Sequence, residues 1–462
     1  MPAFCELSQP EQLDRLWQLA RETNGMDAVE RALLELEPDD RTWRVAEFAI
    51  RLKDASRYEQ GIAILRRCFD PSNEHHHYQL GLCLSYAHRQ SEARKSLEQA
   101  FAMSGGGNPL VANDHILNLA QLGEIDQANS AVQHLRSVGV ISVEECDRLS
   151  AMVNLLAMFP PSQILRQLDE ALVDREWWSI DRLLMQLKVF LKYGEGFAFF
   201  RLDDGEGSNL PWSDEILSGS SALLDFNRDI FLSHWFGQQG VQPALTAGWQ
   251  EIQSQLGEVS QRVDLIGLNA PQRLRHELAV NSSRGIPAIL NTYRWTLLNE
   301  SSCSGQAICH AQMHFELGLS SDRFFELIRS AHSLHLISSR RQFLEVMQRV
   351  APLLNIHFIE IPGERLRVSH GGDTSVQPDA SSHFPGRFHE VLDEISASVV
   401  PGSLWLIGAG FLAKLYCMRI RDLGGVALDL GSLIDLYSGV NSRGFPDSLV
   451  HRINEHLSRE VA

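Results

Sequence analysis

Three things are scarce in this 462-residue chain: paired cysteines, basic runs and long apolar stretches. The seven cysteines (Cys5, Cys68, Cys83, Cys146, Cys303, Cys309 and Cys417) are odd in number, scattered and without a C-x-x-C pair. That speaks against a disulfide or zinc framework and for reduced thiols in a cytoplasm. Lysine and arginine total 41 against 58 acidic residues, a formal net charge of −17 with no long basic segment to offset it. Such a field repels nucleic-acid and membrane phosphates, so a phosphorylated small molecule would need local arginines or a metal. The N-terminus "MPAFCELSQPEQLDRLWQ" has neither the basic nor the apolar region of a secretory leader. The most apolar window, "SLWLIGAGFLAKLYCM", is short, broken by glycine and contains Lys414, so no membrane span is expected. The expectation is a cytoplasmic globular protein of two or three domains that engages neither nucleic acid nor a bilayer.

From about residue 10 to 155 one amphipathic helix follows another. Aligning "YEQGIAILRRCF", "QSEARKSLEQAF" and "EIDQANSAVQHL" superposes Gly61, Ala93 and Ala128, at spacings of 32 and 35 residues. These bracket the tetratricopeptide period of about 34. Leu80-Gly81 and Leu84 fall on the first helix of the clearest unit, and Ala93, Leu97 and Ala100 on its second. Gly123 falls at the turn of the next unit. The segment resembles a degenerate tetratricopeptide array of about three repeats, a surface suited to a protein partner. "NEHHHYQ" holds three consecutive histidines, His75 to His77, which cannot converge on one metal from a helix and read as a solvated helix start.

The expected division is a repeat domain over 1–158, connecting helices over 159–192 and an α/β domain over 193–462. In the last, apolar strand candidates at 196–202, 263–269, 334–338, 355–362, 403–408 and 424–431 alternate with helices. That pattern predicts a mostly parallel, Rossmann-like sheet flanked by helices, with ligands beyond the carboxyl ends of its strands. The short polar motifs lie at those ends. Asp203, Asp204 and Glu206 follow the first candidate, wrapped around Gly205 and beside Arg201. Three carboxylates that close suit a solvated turn or a divalent cation. Asn269 ends the second, and Ser339-Arg340 follows the third, a serine and guanidinium at a helix start that suit a phosphate. Gly408 and Gly410 follow "LWLI", and Asp429 with Gly431 ends the last candidate.

"HAQMH" sets His310 and His314 four apart, as on one helix face, but lacks the glutamate of a zinc-protease helix. Gly408, Gly410 and Ala413, with Asp429 about 20 residues on, fit a dinucleotide fingerprint. An NAD(P)-binding oxidoreductase is therefore a rival reading, though too little chain follows for a dinucleotide domain that opens here. A third reading is a non-catalytic repeat scaffold with a degenerate α/β domain.

Two stretches carry a more specific likeness. "FRLDDGE" resembles the strand–Arg–x–x–Asp–Gly–Glu signature near the start of the GT-D-fold glycosyltransferase domain. "WLIGAGFLAKLYCMRIRDLGGVALDLGSLIDLYSG" is similar to that family's closing stretch, and the likeness spans roughly residues 190 to 445. It implies sugar transfer from a nucleotide-diphosphate donor to a protein or glycan acceptor, with Mn²⁺ or Mg²⁺ on the acidic turn. Asp204 and Glu206 would hold the cation, with Asp203 beside them where the family has a small residue. Arg201 would steady the carboxylates or meet a diphosphate oxygen, and Gly408, Gly410, Asp429 and Gly431 would shape the pocket; Gly205, Asn269, Ser339 and Arg340, by their places at the strand ends, join the expected donor side. His383, in "SSHFPGRFHEVLDEI", would face the acceptor. The general base is left among Asp203, Glu195, Asp429 and His383.

Overall fold

The computed structural model describes residues 4–22, 25–173, 175–236, 243–298, 306–363 and 383–461. Cys303 and the first two residues of the "SSHFP" segment lie outside these. The chain forms two compact units.

The first unit runs to Arg166 and is all helical. Its centre is the run Glu74–Tyr86, Gln90–Ser104, Pro109–Gln121, Ile125–Val138 and Val143–Met158. Local chemistry starts and stops these helices. The Asn73 and Asn108 side chains accept backbone N–H groups at their N-termini, and Ser142 and Glu145 form a reciprocal capping box. Gly105, Gly123 and Gly139 take positive φ at the turns. Neighbouring helices pack on each other, and Pro109–Gln121 also packs on Val143–Met158, two helices on, as in a stacked repeat. The repeat-defining small residues sit at crossings. A Cβ on Gly81 would come within 2.7 Å of Leu97, one on Gly61 within 2.9 Å of Cys83, and Ala93 and Ala128 are fully buried.

His75 to His77 do begin a helix, but His76 is not solvated. Its Nε2 meets the Thr42 carbonyl at 2.6 Å and its Nδ1 accepts the Asp70 N–H, so the ring staples a loop inside the packed unit. Two later segments, Asp214–Leu224 and Gln272–Ile286, join this unit, which the linear division at residue 158 does not anticipate. Asn281 reaches Asp114 at 3.0 Å and Gln121 at 2.7 Å, and Asn154 reaches the Gly219 carbonyl at 2.8 Å.

The second unit is built on a seven-stranded, all-parallel sheet in the order β3-β2-β1-β7-β6-β4-β5. The strands are β1 Phe197–Arg201, β2 Leu265–Leu268, β3 Ala307–His310, β4 Leu334–Ser338, β5 Ile356–Glu360, β6 Leu404–Gly408 and β7 Val426–Asp429. The six expected strands are present; β3 was not expected. Both faces are covered, which is why the central strands are apolar throughout. Alternate residues sort by face. Phe197, Phe199, Leu265, Leu336, Leu406 and Leu428 pack with Leu183, Leu187 and Leu191 of the helix Ile180–Tyr193 in one core. The helix Ala413–Asp422 packs against β1, β6 and β7 as well. Each buried phenylalanine of β1 contributes about 1.5–3 kcal/mol.

From β1 the chain steps outward to β2 and β3, then crosses to fill the other side and returns to end beside β1. The reversal falls between β1 and β7, and a sheet of this kind opens its ligand crevice at the carboxyl ends of such a pair.

Candidate functional site at the β1–β7 switch point

The acidic turn grows directly from the end of β1 as one short helical turn, Asp204–Gly207. All three of its carboxylates do local structural work, Asp204 Oδ1 accepting the Gly205 N–H at 2.9 Å. Asp203 Oδ1 accepts the Asp204 N–H at 2.8 Å, and the Asp203 side chain also takes the Glu206 N–H while Glu206 Oε2 accepts the Asp203 N–H at 3.1 Å, a capping box. Side chains behind the turn fix it. Asn209 Nδ2 donates to the Gly205 carbonyl at 2.8 Å, Asn291 Nδ2 to Gly207 at 3.0 Å, and the Thr292 hydroxyl to Asp203 at 3.3 Å. A Cβ on Gly207 would overlap the Ala288 carbonyl at 1.9 Å, so only glycine lets the turn lie this deep.

From β2, Asn269 Nδ2 donates to Asp203 Oδ1 at 2.9 Å. The Tyr293 hydroxyl holds the carbonyls of Asn269 and Ala270, each at 2.9 Å. Burial, and then the Asp204 charge, push the Asp203 carboxyl above its ordinary range, against the pull of Arg201.

Two cations reach this edge from opposite faces of the sheet. Arg201, the last residue of β1, shares the face of Phe197 and Phe199, and its guanidinium lies against Gly431, where a Cβ would meet Nη2 at 2.7 Å. Gly431 holds φ 47° and ψ −125°, and its N–H donates to Asp429 Oδ1 at 3.2 Å.

Lys414, on the helix Ala413–Asp422, is almost wholly buried. Its Nζ lies 2.6 Å from Glu206 Oε1, 2.8 Å from Asp429 Oδ2 and 3.3 Å from the Gly410 carbonyl. Burial alone would lower its pKa, but Asp429 and Glu206 reverse that and raise it. Burial would likewise raise Glu206, yet Lys414 and Arg201 hold it below its usual range.

Six of the expected residues meet here: Arg201, Asp203, Glu206, Asn269, Asp429 and Gly431. Gly205, which packs near Phe231, and Asp204 complete the turn, and Gly410 joins through Lys414. Gly408, at the end of β6, packs tightly on Ile434. Ser339 and Arg340 follow β4, which β6 and β7 separate from β1. Arg340 is committed to Asp435, Nε to Oδ1 at 2.8 Å, and is buried, so it is not a helix-start guanidinium waiting for phosphate.

His383 is likewise engaged within the fold. It is buried, its Nε2 sits 2.9 Å from the Tyr416 hydroxyl, and burial followed by the Arg387 charge drops its pKa to about 3. That is a packed neutral imidazole rather than an acceptor-facing one. Of the four base candidates, Asp429 is ion-paired, His383 is enclosed and Glu195 is exposed before the start of β1, at the opposite sheet edge. Asp203 is left.

Lys414 carries little site signal in the sequence. Its signal was a lone lysine inside an apolar window, four residues after Gly410. His314 was also misplaced, because His310 ends β3 and the two histidines share no helix. His314 is fully buried, neither ring nitrogen makes a well-formed hydrogen bond, and burial followed by the nearby Arg201 charge holds it well below its ordinary pKa.

The geometry admits a divalent cation only in part. Glu206 does not fit as a ligand, since Lys414 and the Asp203 N–H take both its oxygens. Asp203 Oδ1 takes two donors and its side chain also caps the Glu206 N–H, with Asp204 beside it on a half-buried turn. Among the described residues no cluster of three or more Asp, Glu, His or Cys side chains gathers for a metal. One or two carboxylates completed by substrate phosphates is the usual arrangement for Mg²⁺.

No family model matches the chain, and no curated protein sequence matches it. Among solved structures, a mutant O-GlcNAc transferase of Thermobaculum terrenum is similar at 12% identity over 90% of this chain and 92% of that one, with a TM-score of 0.24. So loose a superposition carries no argument about fold or function. No described helix is long and apolar enough to cross a membrane.

Proposed function

We propose that the α/β unit transfers a sugar from a nucleotide-diphosphate donor to a protein or glycan acceptor, and that the helical array recruits the acceptor or another protein partner. The observation that carries this reading is the meeting of Arg201, the acidic turn and the Gly431 turn at the β1–β7 switch point. Arg201 would bind a diphosphate oxygen of the donor. Asp203 and Asp204, rather than Glu206, would face Mn²⁺ or Mg²⁺, with Asn269 fixing the Asp203 rotamer. The cation would offset the charge that grows on the diphosphate as the glycosidic bond breaks. The bare backbone at Gly431 would let the donor approach the strand ends closely.

The oxidoreductase reading loses its ribose ligand, because Asp429 is buried and bonded to Lys414. A thermal-shift panel of UDP-, GDP- and dTDP-sugars and NAD(P)H, each with Mn²⁺ and with EDTA, tests the proposal. A donor at 100 times its Kd should stabilise the protein by about 2.7 kcal/mol. The expected shift occurs with one nucleotide sugar, vanishes in EDTA and is lost in Asp204→Asn. A metal-independent shift with NAD(P)H, or none with any sugar nucleotide, overturns it.

A further inference from the structure

We infer that Lys414 is the positioning residue that holds the acidic turn and the Arg201 seat in register; as a role in transfer, this rests on the function proposed above. One buried ammonium reaches both halves of the site through separate chains of contacts. Towards β1, Nζ bonds Glu206 Oε1, and the other oxygen of Glu206 caps the N–H of Asp203. Towards β7, Nζ bonds Asp429 Oδ2, and the other oxygen of Asp429 takes the Gly431 N–H, whose Cα side backs the Arg201 guanidinium. Its third partner, the Gly410 carbonyl, is at the turn after β6.

Lys414 therefore touches none of the groups proposed to meet donor or cation, yet it orients Asp203 through Glu206 and Arg201 through Asp429. Each carboxylate is bidentate in effect, one oxygen to the lysine and one to a backbone N–H. Loss of the ammonium thus frees both turns together. A plain buried counterion would need only charge balance; this arrangement also needs the geometry.

Two full-length variants separate these roles. Lys414→Met leaves two buried carboxylates without their cation, and it should lower Tm and speed amide exchange at residues 203–208 and 429–432 together. The triple variant Glu206→Gln/Lys414→Met/Asp429→Asn, which removes all three charges, should recover much of the Tm, since neutral replacement of a buried ion network is often tolerated. It should still transfer sugar at least about tenfold more slowly in kcat, with a much smaller change in donor KM, because misplaced groups slow reaction more than binding. Wild-type kcat in the triple variant would reduce Lys414 to a counterion and overturn the inference. Faster exchange at one turn alone in Lys414→Met would overturn it too. If the wild-type protein transfers no sugar from any donor, the proposed function is what fails, and the paired exchange at the two turns still decides the role of Lys414.

Discussion

Replacing Gly431 with alanine tests the centre of the site with a single methyl group. Two costs arise at this position. The backbone sits at φ 47° and ψ −125°, a region an L side chain occupies at about 1–3 kcal/mol. The new Cβ would also stand 2.7 Å from Arg201 Nη2 and 3.4 Å from its Cζ, so the guanidinium must leave its seat. Gly408→Ala is the natural control. Its Cβ would press the flexible end of Ile434 at 2.8 Å and make an ordinary contact with the Gly431 carbonyl at 3.5 Å, and its φ is not positive. Urea unfolding measures both. The decisive variant is the double one, Gly431→Ala with Arg201→Ala, which removes the clash and keeps the backbone strain. A coupling of about 0.5–3 kcal/mol between the two sites is expected. Additivity within about 0.5 kcal/mol would mean that Arg201 does not rest on Gly431 and that the donor-side geometry described above is wrong.

Arg340→Met breaks a largely buried pair with Asp435 and should cost about 3–5 kcal/mol in unfolding free energy, while donor affinity, measured where the variant is folded, stays within about twofold. Lost donor binding without lost stability would return Arg340 to the ligand site. His383 has a folded pKa of about 3 against an ordinary 6.5, so between those values the unfolded chain binds the extra proton and stability falls as pH drops. Urea midpoints at pH 7 and pH 5 should therefore converge in His383→Gln relative to wild type, and an unchanged difference would show that His383 does not contribute to the acid limb.

The strands were legible because a parallel sheet covered on both faces demands apolar runs in its interior, while the edge strand β5 showed as an alternating one. β3 escaped because "AICH" is only four residues long and runs straight into a helix. Its histidines then suggested a helical spacing that the strand end breaks. The acidic turn and Gly431 were legible as motifs. Their partner was not, because Lys414 meets Glu206 only after β1 and β7 pair, and nothing local links those positions. Arg340 and His383 failed for the same reason in reverse. Their residue types suit ligands, but Asp435 and Tyr416, distant in sequence, had already taken them. The repeat array shows the opposite case. Its small residues act between sequence neighbours, so their spacing alone placed them at helix crossings.

The adjacency of β1 and β7 also sets a timetable for synthesis. The interior strand β1 emerges from the ribosome first of the seven, and its partner at the centre of the sheet, β7, emerges last of them. Until Val426–Asp429 is available, the phenylalanine-rich β1 has β2 on one edge and nothing of its own sheet on the other. Pairing over so long a separation is slow, and an open apolar edge is where chains stick to one another. Nascent chains halted before residue 426 should therefore depend on chaperones far more than the finished protein does. The same late step that closes the sheet brings Asp429 to Lys414, so the candidate site is completed only when the last strand pairs.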